Sequence, residues 1–539
     1  MCAEQAASGF PTGGSLFFVM GTYHHCRHEL TRGFDLPAPV VGRAAPVTGG
    51  KTGKRSETGG DPGSPLFVVV LTCAATLIYA TYSLVSLARF RASAYDLVIF
   101  DQGIRSYSKF LPPISVIKGV HNDFGVEFSL LGDHFSPILA TLAPFYWIHD
   151  GPETLLVAQA VLLAAAIPFL WRYVFRAVTL SGLPHARRAA HAVSIAYAIS
   201  WPVVETVAFD FHEAAFVPLL LAVLFERLQA RRLAAVVVAA LLLLLVKEDM
   251  GLLVAGVGLS LLAVRRDRLL GIVFVAAGVA MAYVATQIVV PAAGGRATYY
   301  WAYSALGADM GEAVVSVLTD PLGAFALLGT PPVKLLTIAL TLAPMLFLPL
   351  LSPVTIALVP LLLERMLASS FPNWWVSRYH YAAFIVIIVF VAGVDGFCRI
   401  ARRRDLVTPF TVMVVVTGVA IVPFSSLGSM FTPGFYTVSD RQKAAAQAVA
   451  LVPHGVVVEA SNNLAPALSA RTVTLLWDRT HRGAPWIVAD VGRKTFPFTT
   501  VDEQRDRVRW LSDNGYRKVF ESQGYVVLTS AAPGPAPSG

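Results

Sequence analysis

The chain has 539 residues, of which 55% are hydrophobic and only 14% charged, against roughly 25% charged in ordinary globular chains. With a mean hydropathy of +0.62, this balance excludes a string of soluble domains, a disordered chain and a nucleic-acid-coating protein, and four cysteines exclude a disulfide scaffold. The net charge of +8 has first to be tested as membrane topology, because Lys and Arg in short loops stay on the cytoplasmic side.

Residues 1–65 are rich in Gly, Pro, Thr and Arg without apolar periodicity and are expected to form a disordered cytoplasmic tail. Leu16 to Met20 is too short an apolar run for a signal peptide. His24, His25, Cys26 and His28 have no second ligand pair at usable spacing.

Apolar runs then follow at 66–88, 153–171, 189–207, 213–226, 233–247, 249–264, 269–290, 334–351, 353–368, 380–398 and 406–424. A bilayer-spanning helix needs about 20 mostly apolar residues, so the expected fold is an all-α polytopic membrane protein with about eleven transmembrane helices over 66–436. Fourteen basic residues lie in four short loops on one side: Arg172, Arg176, Arg187 and Arg188; Arg227, Arg231 and Arg232; Arg265, Arg266 and Arg268; Arg399, Arg402, Arg403 and Arg404. The opposite short loops hold only Lys247 and Arg378. The N-terminus is therefore expected in the cytoplasm of a plasma-membrane protein and the C-terminal segment outside.

Two long loops are expected outside, 89–152 and 291–333. Residues 437–530 alternate strand-like runs (456–459, 472–476, 486–490, 525–529) with helical ones (441–451, 501–514), the pattern of a small exterior α/β domain. The Pro-Gly-Ala tail at 531–539 is expected to be disordered.

Candidate chemistry gathers at the exterior ends of the spans. After the first span, Leu97, Phe100, Ile104, Tyr107 and Leu111 form one helical stripe, the pattern of a helix lying on the membrane surface, with Asp96 and Asp101 on its borders. Two solvated boundary acids, with Asp96 capping the helix, are the plain alternative to a catalytic pair. Asp133 and His134 lie late in the first loop; Asp210, His212 and Glu213 lie between the third and fourth runs. Lys247, Glu248 and Asp249 sit between the fifth and sixth, where an internally neutralised turn is the alternative. Arg378 and His380 precede the tenth. Ionisable groups this close to hydrocarbon are functional hypotheses by default. Histidine beside carboxylate suits zinc or manganese, so a divalent cation stays open as a cofactor, but the spacing matches no ligand motif and no residue is assigned to a metal. No phosphate-gripping glycine loop, serine elbow or dinucleotide fingerprint stands out.

The motifs Tyr95-Asp96-Leu97-Val98-Ile99-Phe100-Asp101-Gln102, Gly132-Asp133-His134-Phe135-Ser136-Pro137-Ile138-Leu139, Phe209-Asp210-Phe211-His212-Glu213 and Val246-Lys247-Glu248-Asp249 together resemble the bacterial family of predicted membrane proteins called domain of unknown function 2079. More distantly, an acid outside the first span, a long first loop, a His-x-x-Pro-Ile-Leu stretch before the second span and an exterior C-terminal domain resemble the GT-C glycosyltransferases. Those enzymes move sugar from a polyprenyl-phosphate carrier to an extracytoplasmic acceptor. His134-Phe135-Ser136-Pro137 is similar to the His-Pro-Pro-Leu element of protein mannosyltransferases, from which Phe135 and Ser136 depart.

This resemblance implies that Asp96 holds the place of the essential first-loop acid, with Asp101 as competitor. A carboxylate in a partly dry cavity serves as general base toward an acceptor hydroxyl. The leaving lipid phosphate calls for cations, for which Lys247, Arg378 and His380 are the candidates; Asp133, His134, Asp210, His212, Glu213, Glu248 and Asp249 complete the substrate-binding set. The expected partners are a polyprenyl-phosphate sugar, an acceptor outside the cytoplasm and the lipid bilayer. A transporter or flippase of lipid-linked or anionic substrates, and a non-catalytic envelope-assembly protein, are the alternatives. A transporter should place its ionisable groups near mid-membrane, whereas these gather at one interface.

Overall fold

Prolines decide how the apolar runs become helices. The computed structural model describes residues 65–296, 299–401 and 406–530. The expected tails, save Pro65, lie outside the described residues, as do the His24, His25, Cys26 and His28 group and Arg402, Arg403 and Arg404. The helices are α1 (Pro65–Ala88), α2 (Ile99–Ser108), α3 (Val116–His121), α4 (Pro152–Leu180), α5 (Ala186–Ala198), α6 (Trp201–Ala208), α7 (Phe216–Gln229), α8 (Leu233–Leu244) and α9 (Met250–Ala263). They continue as α10 (Arg268–Ala292), α11 (Met310–Thr319), α12 (Pro321–Leu327), α13 (Val333–Leu342), α14 (Val359–Leu367), α15 (Val386–Ala401), α16 (Val407–Phe424), α17 (Asp440–Ala450) and α18 (Val501–Asp513).

Four of them, α1, α4, α10 and α16, are long and apolar enough to cross a membrane, and the α11 and α12 pair passes the same test together while bending by 111°. Eleven continuous helices do not form among the described residues. The run at 189–207 splits into α5 and α6 where Pro202 enters the first turn of α6. The runs at 334–351 and 353–368 break into α13, three short 3-10 turns and α14 around Pro344, Pro349 and Pro353. A proline lacks the N–H that a continuing helix needs and crowds the carbonyl four residues back. The stretch at 291–333, expected as a loop, carries the bent pair, and Val315, Leu318, Leu322 and Phe325 on it are exposed.

The expected surface helix is also placed differently. Leu97, Phe100 and Ile104 are buried, and α2 packs on the 3-10 run Pro137–Trp147. Nearly all of α15 is buried, as a helix apolar on every side requires; its acid Asp395 accepts from Ser352 Oγ at 2.6 Å and Arg399 Nε at 2.8 Å. α9 and α10 meet backbone to backbone, for a Cβ at Gly251 would lie 2.4 Å from the Gly278 carbonyl oxygen. Such close crossings of small residues hold helices together where lipid supplies no hydrophobic drive.

The C-terminal part forms a five-stranded sheet of β1 (Val457–Ala460), β2 (Val473–Leu476), β3 (Trp486–Asp490), β4 (Tyr516–Ser522) and β5 (Tyr525–Ser530), in the order β2-β1-β3-β5-β4. β1 is parallel to β2 and β3, while β5 runs antiparallel to β3 and β4. Trp477, Ile487, Phe498, Val508, Leu511 and Leu528 form a core with α18 on one face. Val458, Ala460, Val488 and Val527 on the other face join Ala444, Ala445 and Ala448 of α17 in the main core.

Candidate functional site

The segment after α1 is where the first acid is set. Asp96 lies at φ 140°, ψ −65°, a backbone conformation that side chains avoid and that persists only when surroundings impose it. Part of that imposition comes from Asp210, itself left-handed at φ 64°, whose Oδ2 accepts from the Ser93 amide at 2.8 Å. Gln159 of α4 holds the Asp210 turn in place. Its Nε2 donates to the carbonyls of Thr206 and Asp210, and its Oε1 accepts from the His212 amide at 3.1 Å.

The Asp96 carboxylate is half-buried and has no hydrogen-bond or ion-pair partner among the described residues. Burial, then the nearby charge of Asp210, push its pKa up to about 8 against the pull of Lys118; Glu213 and Asp133 also repel it. Burial raises Asp210 to about 7, opposed by the Ser93 hydrogen bond. Both are carboxylates poised near neutrality, the range in which a group serves as a general base.

Beside Asp96, Lys118 of α3 lies within 5.3 to 5.5 Å of the ring centres of Tyr95, Tyr299 and Tyr300. It pairs with Asp133 at 2.9 Å and donates to the Tyr300 hydroxyl at 2.9 Å, while that hydroxyl donates to Asp133 at 2.6 Å. Asn122 accepts from Tyr95 and donates to Tyr299. Three aromatic faces and one carboxylate together stabilise a desolvated ammonium.

His134 stacks on Tyr300 with ring centres 4.8 Å apart, and its Nδ1 lies 2.7 Å from Glu248 Oε1; Glu248 Oε2 accepts from the Phe135 amide at 2.9 Å. His212 stacks on His380 at 3.4 Å, and its Nδ1 lies 2.9 Å from Glu213 Oε2. Glu213 reaches Lys247 Nζ at 3.8 Å. Lys247 then opens on a small recess of about 20 Å³ lined by Asp249, Glu364, Arg365, Trp374 and Tyr381. There Arg365 donates through Nε to the Trp374 carbonyl at 2.8 Å, while its Nη1 and Asp249 Oδ1 are buried without a hydrogen-bond partner.

The structure thus brings Asp96, Asp133, His134, Asp210, His212, Glu213, Lys247, Glu248, Asp249 and His380 into one linked cluster. Asp101 and Arg378 lie apart from it. Asp101 is fully buried, accepts from Tyr146 at 2.8 Å and pairs with Arg105 through both oxygens. Arg378 is exposed, with its charge felt by Glu205. No three His, Cys, Asp or Glu side chains among the described residues converge in a group able to hold a metal ion.

A family model described as predicted membrane protein (DUF2079) matches residues 86–527. The chain belongs to the DUF2079 family. Among curated proteins no relative matches by sequence. Among solved structures, this DUF2079 chain is similar to the crystal structure of ArnT from Cupriavidus metallidurans bound to undecaprenyl phosphate. The TM-score is 0.51 at 13% identity, with 88% of this chain and 100% of that one covered. At that identity the likeness is one of fold.

Several side chains of the cluster escape sequence reasoning. Lys118, Asn122, Tyr299 and Tyr300 come from the two stretches expected as long loops, and their pairing is tertiary, although the run Tyr299-Tyr300-Trp301 is conspicuous beside a membrane. Gln159 lies within an apolar helix and carries no charge to mark it. Arg365 was findable, for an arginine inside the apolar run at 353–368 is the kind of residue that marks a function.

Proposed function

We propose that this protein is an integral-membrane glycosyltransferase that moves a sugar from a polyprenyl-phosphate carrier to an acceptor outside the cytoplasm. The observation that carries the reading is the unpartnered Asp96 carboxylate, half-buried beside Lys118 and in one cluster with Lys247 and Arg365. A fold similar to a protein crystallised with undecaprenyl phosphate, with the GT-C layout noted in the sequence, supports the carrier.

In this reading an acceptor hydroxyl attacks the anomeric carbon and gives its proton to Asp96. The new glycosidic bond forms as the bond from that carbon to the phosphate oxygen breaks, and the lipid phosphate leaves with the electron pair. Lys247, buried with its ion pair to Glu213 at 3.8 Å, and Arg365, buried with Nη1 unbonded, meet that anion; desolvated cations bind phosphate more strongly than solvated ones. Exposed Arg378 is replaced in this role by Arg365. Asp133, His134, His212, Glu213 and His380 orient the sugar and the base, and Glu248 and Asp249 hold the Lys247 turn. The N-terminal tail is cytoplasmic and the C-terminal α/β domain exterior, packed on the membrane part. About eleven crossings, several built from broken helices, lie between them.

The test incubates membranes holding this protein with a panel of labelled polyprenyl-phosphate sugars and follows label out of the lipid fraction. Transfer by the wild type that is lost in Asp96→Asn is the expected result. Absence of transfer from every donor in the panel contradicts the reading.

A further inference from the structure

Three consecutive amides lead into Asp96, and none is bonded within its own segment. Ser93 donates to Asp210 at 2.8 Å, Ala94 donates to the Asn462 carbonyl at 2.7 Å, and Tyr95 donates to Asn462 Oδ1 at 3.0 Å. One asparagine from the C-terminal part therefore takes two of the three.

Its position in the sheet is informative. Asn462 follows β1, which has β2 on one side and β3 on the other, both parallel to it. That is the point where the strand order reverses, and in open α/β sheets the loops at the carboxyl ends of strands at such a point face ligands. The loops after the other two parallel strands reach the same place. Asp478, after β2, lies 2.7 Å from His121 Nδ1. Phe496, after β3, packs on Tyr95 and His121 with ring centres 5.2 and 5.9 Å away.

We propose that Asn462 is a positioning residue for Asp96, so that the acid of the membrane part is set in its strained conformation by the carboxyl edge of the C-terminal sheet. The two amides it holds fix the chain on the N-terminal side of Asp96, as Asp210 does one residue earlier. Released from Asn462, the segment relaxes toward an ordinary turn and the carboxylate leaves the charged surroundings made by Asp210, Asp133, Glu213, Lys118 and Tyr381. The sheet is then half of the site, and its loss is a loss of chemistry as well as of fold.

The proposal rests on the reading of Asp96 as the transfer base, and the test separates the two. In full-length protein, Asn462→Ala is compared with Asn462→Asp, which keeps the oxygen acceptor and adds a negative charge. Infrared difference spectra against Asp96→Asn follow the protonation of Asp96, and hydrogen exchange follows the amides of 93–96; neither readout needs transfer. Asn462→Ala removes the side-chain acceptor and keeps the carbonyl, so it is expected to speed exchange at 95 with 94 less affected, and to lower the Asp96 midpoint by about one pH unit or more as the carboxylate becomes hydrated. Asn462→Asp is expected to keep the protection and raise the midpoint. Transfer by Asn462→Ala falls about 100-fold in kcat with the donor KM little changed, and Asn462→Asp recovers it at higher pH. Unchanged exchange and an unchanged Asp96 midpoint in Asn462→Ala overturn the proposal. A wild type without transfer overturns the glycosyltransferase reading alone, because the spectra and the exchange still decide the role of Asn462.

Discussion

Asp96 and Asp101 lie on one short segment after α1, and their surroundings are opposite. Asp101 is fully buried with two oxygens engaged by Arg105 and a hydroxyl from Tyr146, so its charge is spent on holding α2 to the run Pro137–Trp147. Asp96 is half-buried and strained in its backbone, its carboxylate without a hydrogen-bond partner among the described residues and surrounded by both signs of charge. A buried acid paired with a cation and a hydroxyl is part of the scaffold. An acid held at a cost in backbone energy, with its oxygens free, is available to a substrate.

The largest effect that sharpens this contrast is expected for Asp96→Gly. Glycine accepts a φ of 140° without strain, so stability rises by about 1 kcal/mol while transfer falls about 1000-fold. Thermal unfolding in detergent and the labelled-donor assay read the two changes. Next, Lys247→Met and Arg365→Met each raise the donor KM about 10- to 100-fold, the worth of a charge-assisted hydrogen bond to phosphate. Asp101→Ala leaves Arg105 with only the half-exposed Asp150 as ion-pair partner and costs about 3 kcal/mol in denaturant midpoint analysis, with the rate per folded molecule unchanged.

The smallest effect concerns pH. Only deprotonated Asp96 accepts a proton, so wild-type transfer rises with pH through about 8. Asp210→Asn keeps an oxygen for the Ser93 amide but removes a like charge, which favours the deprotonated form of Asp96. The rising limb of the pH profile then moves down by about one unit or less.

How far this was legible depends on whether a residue announces itself locally. Asp133, Asp210 and the Lys247 turn stand out because charge at the ends of apolar runs is conspicuous, and the structure gathers them with Asp96. Asp101 carries the same local signal, and only its tertiary pairing with Arg105 and Tyr146 separates the two acids. Arg378 matches the expected chemistry but is exposed, while Arg365, an arginine inside an apolar run, carried the same local signal as the acids. The helices show the same limit. Hydropathy marks every stretch able to enter lipid, yet Pro202, Pro344, Pro349 and Pro353 break those stretches into pieces. In the sheet, β4 was missed because Arg517, Lys518 and Glu521 make an edge strand polar on both faces.

The contrast between the two acids is tested most directly by scoring Asp96→Asn and Asp101→Asn side by side, at matched amounts of folded protein, for transfer from a labelled polyprenyl-phosphate sugar and for thermal midpoint. The account predicts that Asp96→Asn abolishes transfer at a wild-type midpoint and that Asp101→Asn lowers the midpoint while keeping transfer. Loss of transfer in Asp101→Asn with Asp96→Asn fully active contradicts it.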